Sequence, residues 1–392
     1  MKLTVIGFGQ CGGRIADEFA QLNARARRQR KIEITPAVFA VNTDSADLSG
    51  LKHIPTDYRH RILIGNQKTQ GHGVGKLNEV GAEIARDDSD KIIEAIRQSK
   101  RFFESDAFLL IASSGGGTGS GSIPVLTRII RERYSDKPVY DLVILPFEHE
   151  ESTEERTTYN TALCLKSVNE AANAVILVDN QRYIKKDASL SNNISKINAL
   201  IAEPFYDILC AGEEKKAKHV GAKTLDAGDI AQTLTGWTVL GYGQTPIPKF
   251  DLSFFKKSDF RNKSTQTHRG TRAMDQAISE SSLACRPEDA GKALYLLSAP
   301  PNEMNMNLAK ELGEYLRNLA PKAVIRNGDY PNKRDALSVH VILSEFSNVD
   351  RVRDYYTKAS ELIPEFKRRQ KEREDNLKDM DTISKDIPSL LK

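Results

Sequence analysis

Six short, continuously apolar runs separated by amphipathic stretches restrict the fold of this chain more than any other feature. They fall at residues 2–6, 37–41, 62–64, 107–112, 141–145 and 174–178. Helical patterns lie between them at 13–22, 75–86, 90–100, 123–133 and 155–171. A strand with no polar face must be covered on both sides, so this alternation predicts a parallel sheet wrapped by helices. The expected architecture is a doubly wound α/β domain, which binds its ligands beyond the carboxyl ends of the strands.

A long helical segment follows at 191–212. Strand signals then occur at 293–298 and 338–343, with a helix candidate at 307–319. These predict a smaller α+β domain, and the polar, basic segment 256–272 reads as an exposed loop. From residue 349 the pattern is helical and of mixed charge, a solvated tail. The expected division is therefore 1–190, 191–229 for the central helix and the loop after it, 230–350, and 351–392.

Composition excludes several classes. A hydrophobic share of 39% with 28% charged residues is that of a globular protein. A net charge of +4 falls short of a nucleic-acid-binding footprint. The apolar runs are far below the roughly 20 residues that span a bilayer, and the opening run is too short for a signal peptide. Cys11, Cys164, Cys210 and Cys285 lack paired metal-ligand spacing and read as free thiols, so the expected location is the cytoplasm.

Three glycine clusters each follow a strand of the first domain. They are Gly7-Phe8-Gly9-Gln10-Cys11-Gly12-Gly13, Gly71-His72-Gly73-Val74-Gly75 and Gly115-Gly116-Gly117-Thr118-Gly119-Ser120-Gly121. Glycine lets backbone N–H groups close on a phosphate, and a following helix adds its positive end. Three such loops at one sheet edge suit a polyphosphate. The first alone fits G-x-G-x-x-G, which dinucleotide enzymes share. Those enzymes place an acidic residue about 20 positions on, whereas here the second strand is delayed and ends in Asn42-Thr43-Asp44. No Walker A lysine follows the third cluster, which leaves phosphate charge to amides, hydroxyls and a divalent ion.

The third cluster resembles the signature loop of the tubulin/FtsZ superfamily. Gly9-Gln10-Cys11-Gly12 is similar to the first phosphate loop of tubulins, Asn42-Thr43-Asp44 to the second loop of FtsZ, and Gly71 to Gly75 with Asn78 to its third. The Gly-Phe-Gly-Gln-x-Gly-Gly opening most resembles the archaeal CetZ branch. The resemblance implies a GTP/GDP site, with Mg2+ held mainly through the phosphates. Its walls would come from Gly9, Gln10, Cys11, Gly12, Gly13, Arg14, Asn42, Asp44, Gly73, Gly75, Gly115, Gly116, Gly117, Thr118, Gly119 and Ser120.

Ribose and base contacts are implied for Arg156, Asn180 and Asn198. The ribose carboxylate is Glu150 counting forward from Pro146 and Glu154 counting back from Arg156; Glu150 is taken. Where FtsZ stacks an aromatic on the base, this chain has Ile194. Asp226 and Asp229 resemble the catalytic pair that one subunit projects onto the nucleotide of the next, although two acidic residues at a helix start are also ordinary caps. A head-to-tail homopolymer that hydrolyses GTP is the implied activity, and a filament that binds nucleotide without hydrolysis is the alternative. Residues from Asp386 to Leu391 are similar to the C-terminal peptide by which FtsZ engages protein partners. Neither nucleic acid nor direct membrane insertion is expected. Beside a phosphate loop, Cys11 is either a reactive thiolate or a small filler under the nucleotide.

Overall fold

The computed structural model describes the chain except for residues 100, 185–189, 215–220, 248–258, 333–334 and 385–392. The expected C-terminal partner peptide lies outside the described residues. In the first half, strands and helices alternate as β1 (Leu3–Phe8), α1 (Gly9–Arg30), β2 (Ala37–Asn42), α2 (Ser45–Ser49), β3 (Arg61–Leu63), α3 (Asn66–Thr69), α4 (Asn78–Asp87), α5 (Ser89–Gln98), β4 (Ala107–Ser113), α6 (Thr118–Arg133), β5 (Val139–Leu145), α7 (Glu148–Thr153), α8 (Glu155–Ala171) and β6 (Ala174–Asp179). Then come α9 (Leu190–Ala211), α10 (Ala227–Thr233), β7 (Gly236–Pro246), α11 (Asp259–Ser279), β8 (Lys292–Ala299), α12 (Met306–Leu319), β9 (Val324–Pro331), β10 (Ala336–Ser344) and α13 (Asp350–Ser384).

Among the described residues ten strands form one sheet in the order β3-β2-β1-β4-β5-β6-β7-β10-β8-β9. From β3 to β6 every neighbour is parallel, as the apolar runs predict. The second half is not a detached layer. Its first strand, β7, pairs in parallel with β6 from Ala174↔Gly236 to Ile176↔Thr238. β10 then runs antiparallel to both β7 and β8. Two apolar cores cover the faces of the sheet. One holds Phe39, Phe108, Ile123, Leu165 and Leu297, and the other Phe19, Leu142, Phe205, Leu209 and Leu294.

The expected loop at 256–272 is corrected, because from Asp259 onward the chain is α11. Its buried face is Gly270, Ala273, Met274 and Ala277. Apart from Met274 these residues are small and give little apolar periodicity. The helix nevertheless sits tightly on β7, where a Cβ at Gly243 would stand 1.9 Å from the Ala273 carbonyl oxygen. Only glycine in the strand permits that approach.

The course of α9 fixes the polarity of the molecule. It starts after the carboxyl end of β6 and returns to the opposite edge, where Glu213 just beyond it holds the Met1 ammonium at 2.8 Å. Asp226, which opens α10, therefore lies at the amino edge of the parallel strands, on the side away from the glycine loops.

Candidate functional site: a cavity beneath the glycine loops

A cavity of about 290 Å³ opens at the carboxyl edge of β1, β2 and β4. Its walls include Gly9, Gln10, Cys11, Asn42, Asp44, Gly73, Gly115, Gly116, Gly117, Thr118, Gly119 and Glu150. Two helices, α1 and α6, begin at it, and neither N-terminus has a side-chain cap. Their first N–H groups thus lack the usual side-chain acceptors, and together with the positive helix ends they form an anion-binding surface.

Local hydrogen bonds hold the loops in place. Thr43 and Thr118 hydroxyls meet at 2.6 Å, joining the end of β2 to the third cluster. Gln10 Nε2 donates to Asp47 Oδ1 at 2.6 Å, and Asn42 Nδ2 donates to Asp47 Oδ2 at 3.1 Å. Asp44 caps α2, accepting from the N–H groups of Ala46 and Asp47 at 2.8 and 3.1 Å. Gly117 fits against the loop before α4 so closely that a Cβ there would stand 2.9 Å from Leu77 N.

Glu150 and Glu154 occupy different places. Glu150 lines the cavity and accepts from Phe147 N–H at 2.9 Å, closing the turn into α7. Glu154 is paired with Lys76. Cys11 is half-buried, and its thiol is pushed up to about 12, by burial first and Glu150 second, against Arg14. A thiol held that high stays protonated at neutral pH, which leaves Cys11 a packing role.

Other expected residues stand outside the walls. Gly12, Gly13 and Ser120 are buried in the first turns of α1 and α6, and the Ser120 hydroxyl donates to the Gly116 carbonyl. Arg14 and Gly75 are exposed. Arg156 turns toward α4, pairing with Glu79 and donating to Asn78 Oδ1 at 3.4 Å, and its guanidinium lies over the Tyr159 ring. Asn180 opens a 3-10 turn at the carboxyl end of β6, and Asn198 is buried on α9, which packs against that turn. Ile194 is half-buried on the same helix.

Asp226 and Asp229 are far from the cavity, at the amino edge. They form a reciprocal capping box on α10, with Asp226 Oδ1 accepting from Asp229 N–H at 2.7 Å and Asp229 Oδ2 from Asp226 N–H at 3.4 Å. Asp229 also faces Arg326 at 3.5 Å. Asp226 remains exposed.

Sequence reading missed several participants. Asp47, Lys76, Ser113 and Thr157 also line the cavity. Buried Asn160 donates through Nδ2 to the carbonyls of Lys76, Gly115 and Gly116 at 2.9, 3.3 and 3.1 Å, clamping two glycine loops together. Asn160 sits mid-helix in α8, where spacing alone gives no sign of that role. Lys76 immediately follows Gly75 and was legible as a cation beside the second cluster.

An open edge of parallel strands, two uncapped helix starts and a lining of glycine and hydroxyl groups define a nucleotide-binding α/β protein. Residues 2–186 match the GTPase domain of the Tubulin/FtsZ family, and residues 187–361 match the C-terminal domain of tubulin-like CetZ. Over 368 residues the chain is 33% identical to the tubulin-like protein CetZ1 of Haloferax volcanii, covering 90% of each chain. It is similar to the structure of GDP-bound monomeric CetZ1 from that organism, with TM-score 0.78 and 31% identity over 92% of this chain and 99% of that one. The GTPγS-bound protofilament of Haloferax volcanii CetZ2 gives TM-score 0.80 and 27% identity, covering 94% of this chain and 100% of that one. The chain belongs to the tubulin/FtsZ family, on its tubulin-like CetZ branch.

Proposed function

We propose that this protein is a cytoplasmic, self-assembling GTPase whose subunits stack head to tail and hydrolyse GTP between them, serving cell shape or division. One observation carries the reading: the phosphate cavity lies at the carboxyl edge of the sheet, and the Asp226/Asp229 turn lies at the opposite edge. In a stack of identical subunits related by translation, one subunit's turn faces the next subunit's cavity. The relatives captured with GDP and as a GTPγS protofilament support nucleotide binding and stacking.

In this reading the triphosphate lies along the starts of α1 and α6, its oxygens accepting from backbone N–H groups. Glu150 accepts from the ribose. Asn180 and Asn198 offer donor and acceptor to the guanine edge. Among the described residues no group of three or more His, Cys, Asp or Glu could hold a metal ion. Magnesium, which binds through few carboxylates plus substrate phosphates, would be held mainly by the nucleotide, with Asp44 and Asp47 in the same cavity. It would supply neutralisation of the charge developing on the phosphates. Asp226 of the adjoining subunit, exposed and anionic, would accept from the attacking water and align it with the γ-phosphate. The new P–O bond forms as the bond to the β-phosphate oxygen breaks, with no covalent enzyme intermediate. Asp229 would hold Asp226 through the capping box.

A filament that binds GTP without hydrolysing it is the second reading, and the mutual capping of the two aspartates favours it to that extent. Phosphate release measured with GTP and magnesium across protein concentrations, with light scattering in parallel, separates the two. Specific activity rising above a threshold together with scattering supports the shared site. Activity linear in protein without scattering defeats it, and scattering without phosphate release selects the second reading.

A further inference from the structure

We infer that Lys76 is the cation that reads the terminal phosphate, and that Glu154 is its counter-ion while that phosphate is absent. The inference rests on the triphosphate reading above and assigns a residue within it. Among the described charged residues lining the cavity, Asp44, Asp47 and Glu150 are carboxylates and Lys76 is the one cation. A triphosphate entering three carboxylates needs positive charge beyond amide dipoles, and Lys76 is where the protein itself supplies it.

Its placement fits that task. The Lys76 carbonyl is held by Asn160, which also holds Gly115 and Gly116, so the residue's backbone is fixed to the phosphate loop. The backbone itself has φ of 61°, the left-handed region that lysine seldom adopts. The side chain is free to move by comparison. Its Nζ pairs with Glu154 and reaches Thr157 Oγ1 at 3.4 Å. Both partners of the ion pair are 43% exposed, which makes the pair weak and readily exchanged for a more highly charged partner. Glu154 is the junction between α7 and α8, and α7 carries Glu150, which lines the same cavity. Moving Lys76 onto a γ-phosphate would therefore release that junction, coupling the phosphate state of the nucleotide to the element that carries Glu150.

The test is binding of fluorescent GTPγS and GDP analogues to wild type, Lys76→Ala, Lys76→Arg and Glu154→Gln, with melting curves of each to verify folding. Lys76→Ala should weaken GTPγS about tenfold, the loss of one charge-assisted hydrogen bond, while changing GDP affinity less than twofold. Lys76→Arg should retain most of the GTPγS preference. Glu154→Gln should tighten GTPγS about two- to threefold by removing the competing partner, an effect of the size given by an exposed ion pair. Equal losses for both nucleotides in Lys76→Ala, or none, overturn the role of Lys76 and leave the nucleotide reading standing. A wild type that binds neither nucleotide overturns both.

Discussion

At single residues, two acids of different kinds, buried Asp141 and half-buried Cys11, are held protonated by the same cause, loss of water around the group. Asp141, on the central strand β5, is fully buried, and both its oxygens lie within 2.9 Å of the Thr127 hydroxyl. Burial holds its carboxyl well above the usual range. The unfolded carboxyl ionises near pH 4 while the folded one stays protonated, so folding takes up a proton. Stability attached to this group is therefore lost as pH rises from about 4 toward the raised folded value. Asp141→Asn keeps the shape and the Thr127 partner without the titration. It should raise the melting temperature by about 2 °C at pH 8 and by nothing measurable at pH 4, read by calorimetry at both values. A constant increment at both would mean that Asp141 is not neutral in the fold. Cys11 presents the second case. Because only the thiolate is alkylated and its thiol is raised to about 12, iodoacetamide at pH 8 should modify it at least about a hundredfold more slowly than a free cysteine. Glu150→Gln removes the second cause of that shift and should speed the reaction several-fold. Intact-mass measurement over time reports both rates, and rapid labelling of the wild-type residue would restore the reactive-thiolate reading.

Among the elements, α13 is where the tail and the nucleotide site meet. Arg351 and Tyr355 both donate to Glu151 on α7, the Arg351 bond at 2.5 Å, and Lys358 approaches the same carboxylate. Farther along, Phe366 sits edge-on to Tyr159, and Arg369 pairs with Glu155 at 2.8 Å. Glu151→Ala leaves the buried Tyr355 and half-buried Arg351 without their acceptor, a loss on the order of 2–3 kcal/mol. Hydrogen exchange should then accelerate in both Glu148–Thr153 and the first turns of Asp350–Ser384, and protection that falls in the helix alone would show that α7 stands independently. How far such elements could be read beforehand depended on how their faces are covered. The six parallel strands were legible because burial on both sides makes each run apolar. β7, whose sequence GWTVLGYGQTP mixes glycine and polar residues, was not, because its glycines exist to admit the α11 backbone. β9, VIRNGDYP, carries an Asn-Gly-Asp run that elsewhere marks a turn, and it is accommodated at the sheet edge. α11 was misread for the complementary reason, since a helix seated on glycine needs only alanine where it meets the strand, at Ala273 and Ala277. In the candidate site the glycine clusters stood out by composition. Asn160 and Thr157 did not, because a residue in mid-helix is assigned to a cavity only by the fold that brings it there.

On the scale of the whole molecule, the separation of the cavity from the Asp226/Asp229 turn leads to a test that a self-contained enzyme cannot pass. One variant, Asp226→Ala with Asp229→Ala, keeps the cavity and loses the turn's carboxylates. A second, Gly116→Phe, fills the cavity. An added Cβ at Gly116 meets nothing within 4 Å, so the larger side chain extends into the space meant for phosphate and spares the core. Each alone should bind or present only half of a site, and neither should release phosphate. When they are mixed in equal amounts, half of the cavities are intact and half of those face an intact turn. Hydrolysis should return at on the order of a quarter of the wild-type rate, because a heterologous head-to-tail interface lets either subunit supply either half. Nucleotide binding by the first variant and melting curves for both establish that each is folded. A mixture that stays silent while filaments form would separate assembly from catalysis, and full activity in the first variant alone would remove the two aspartates from the reaction.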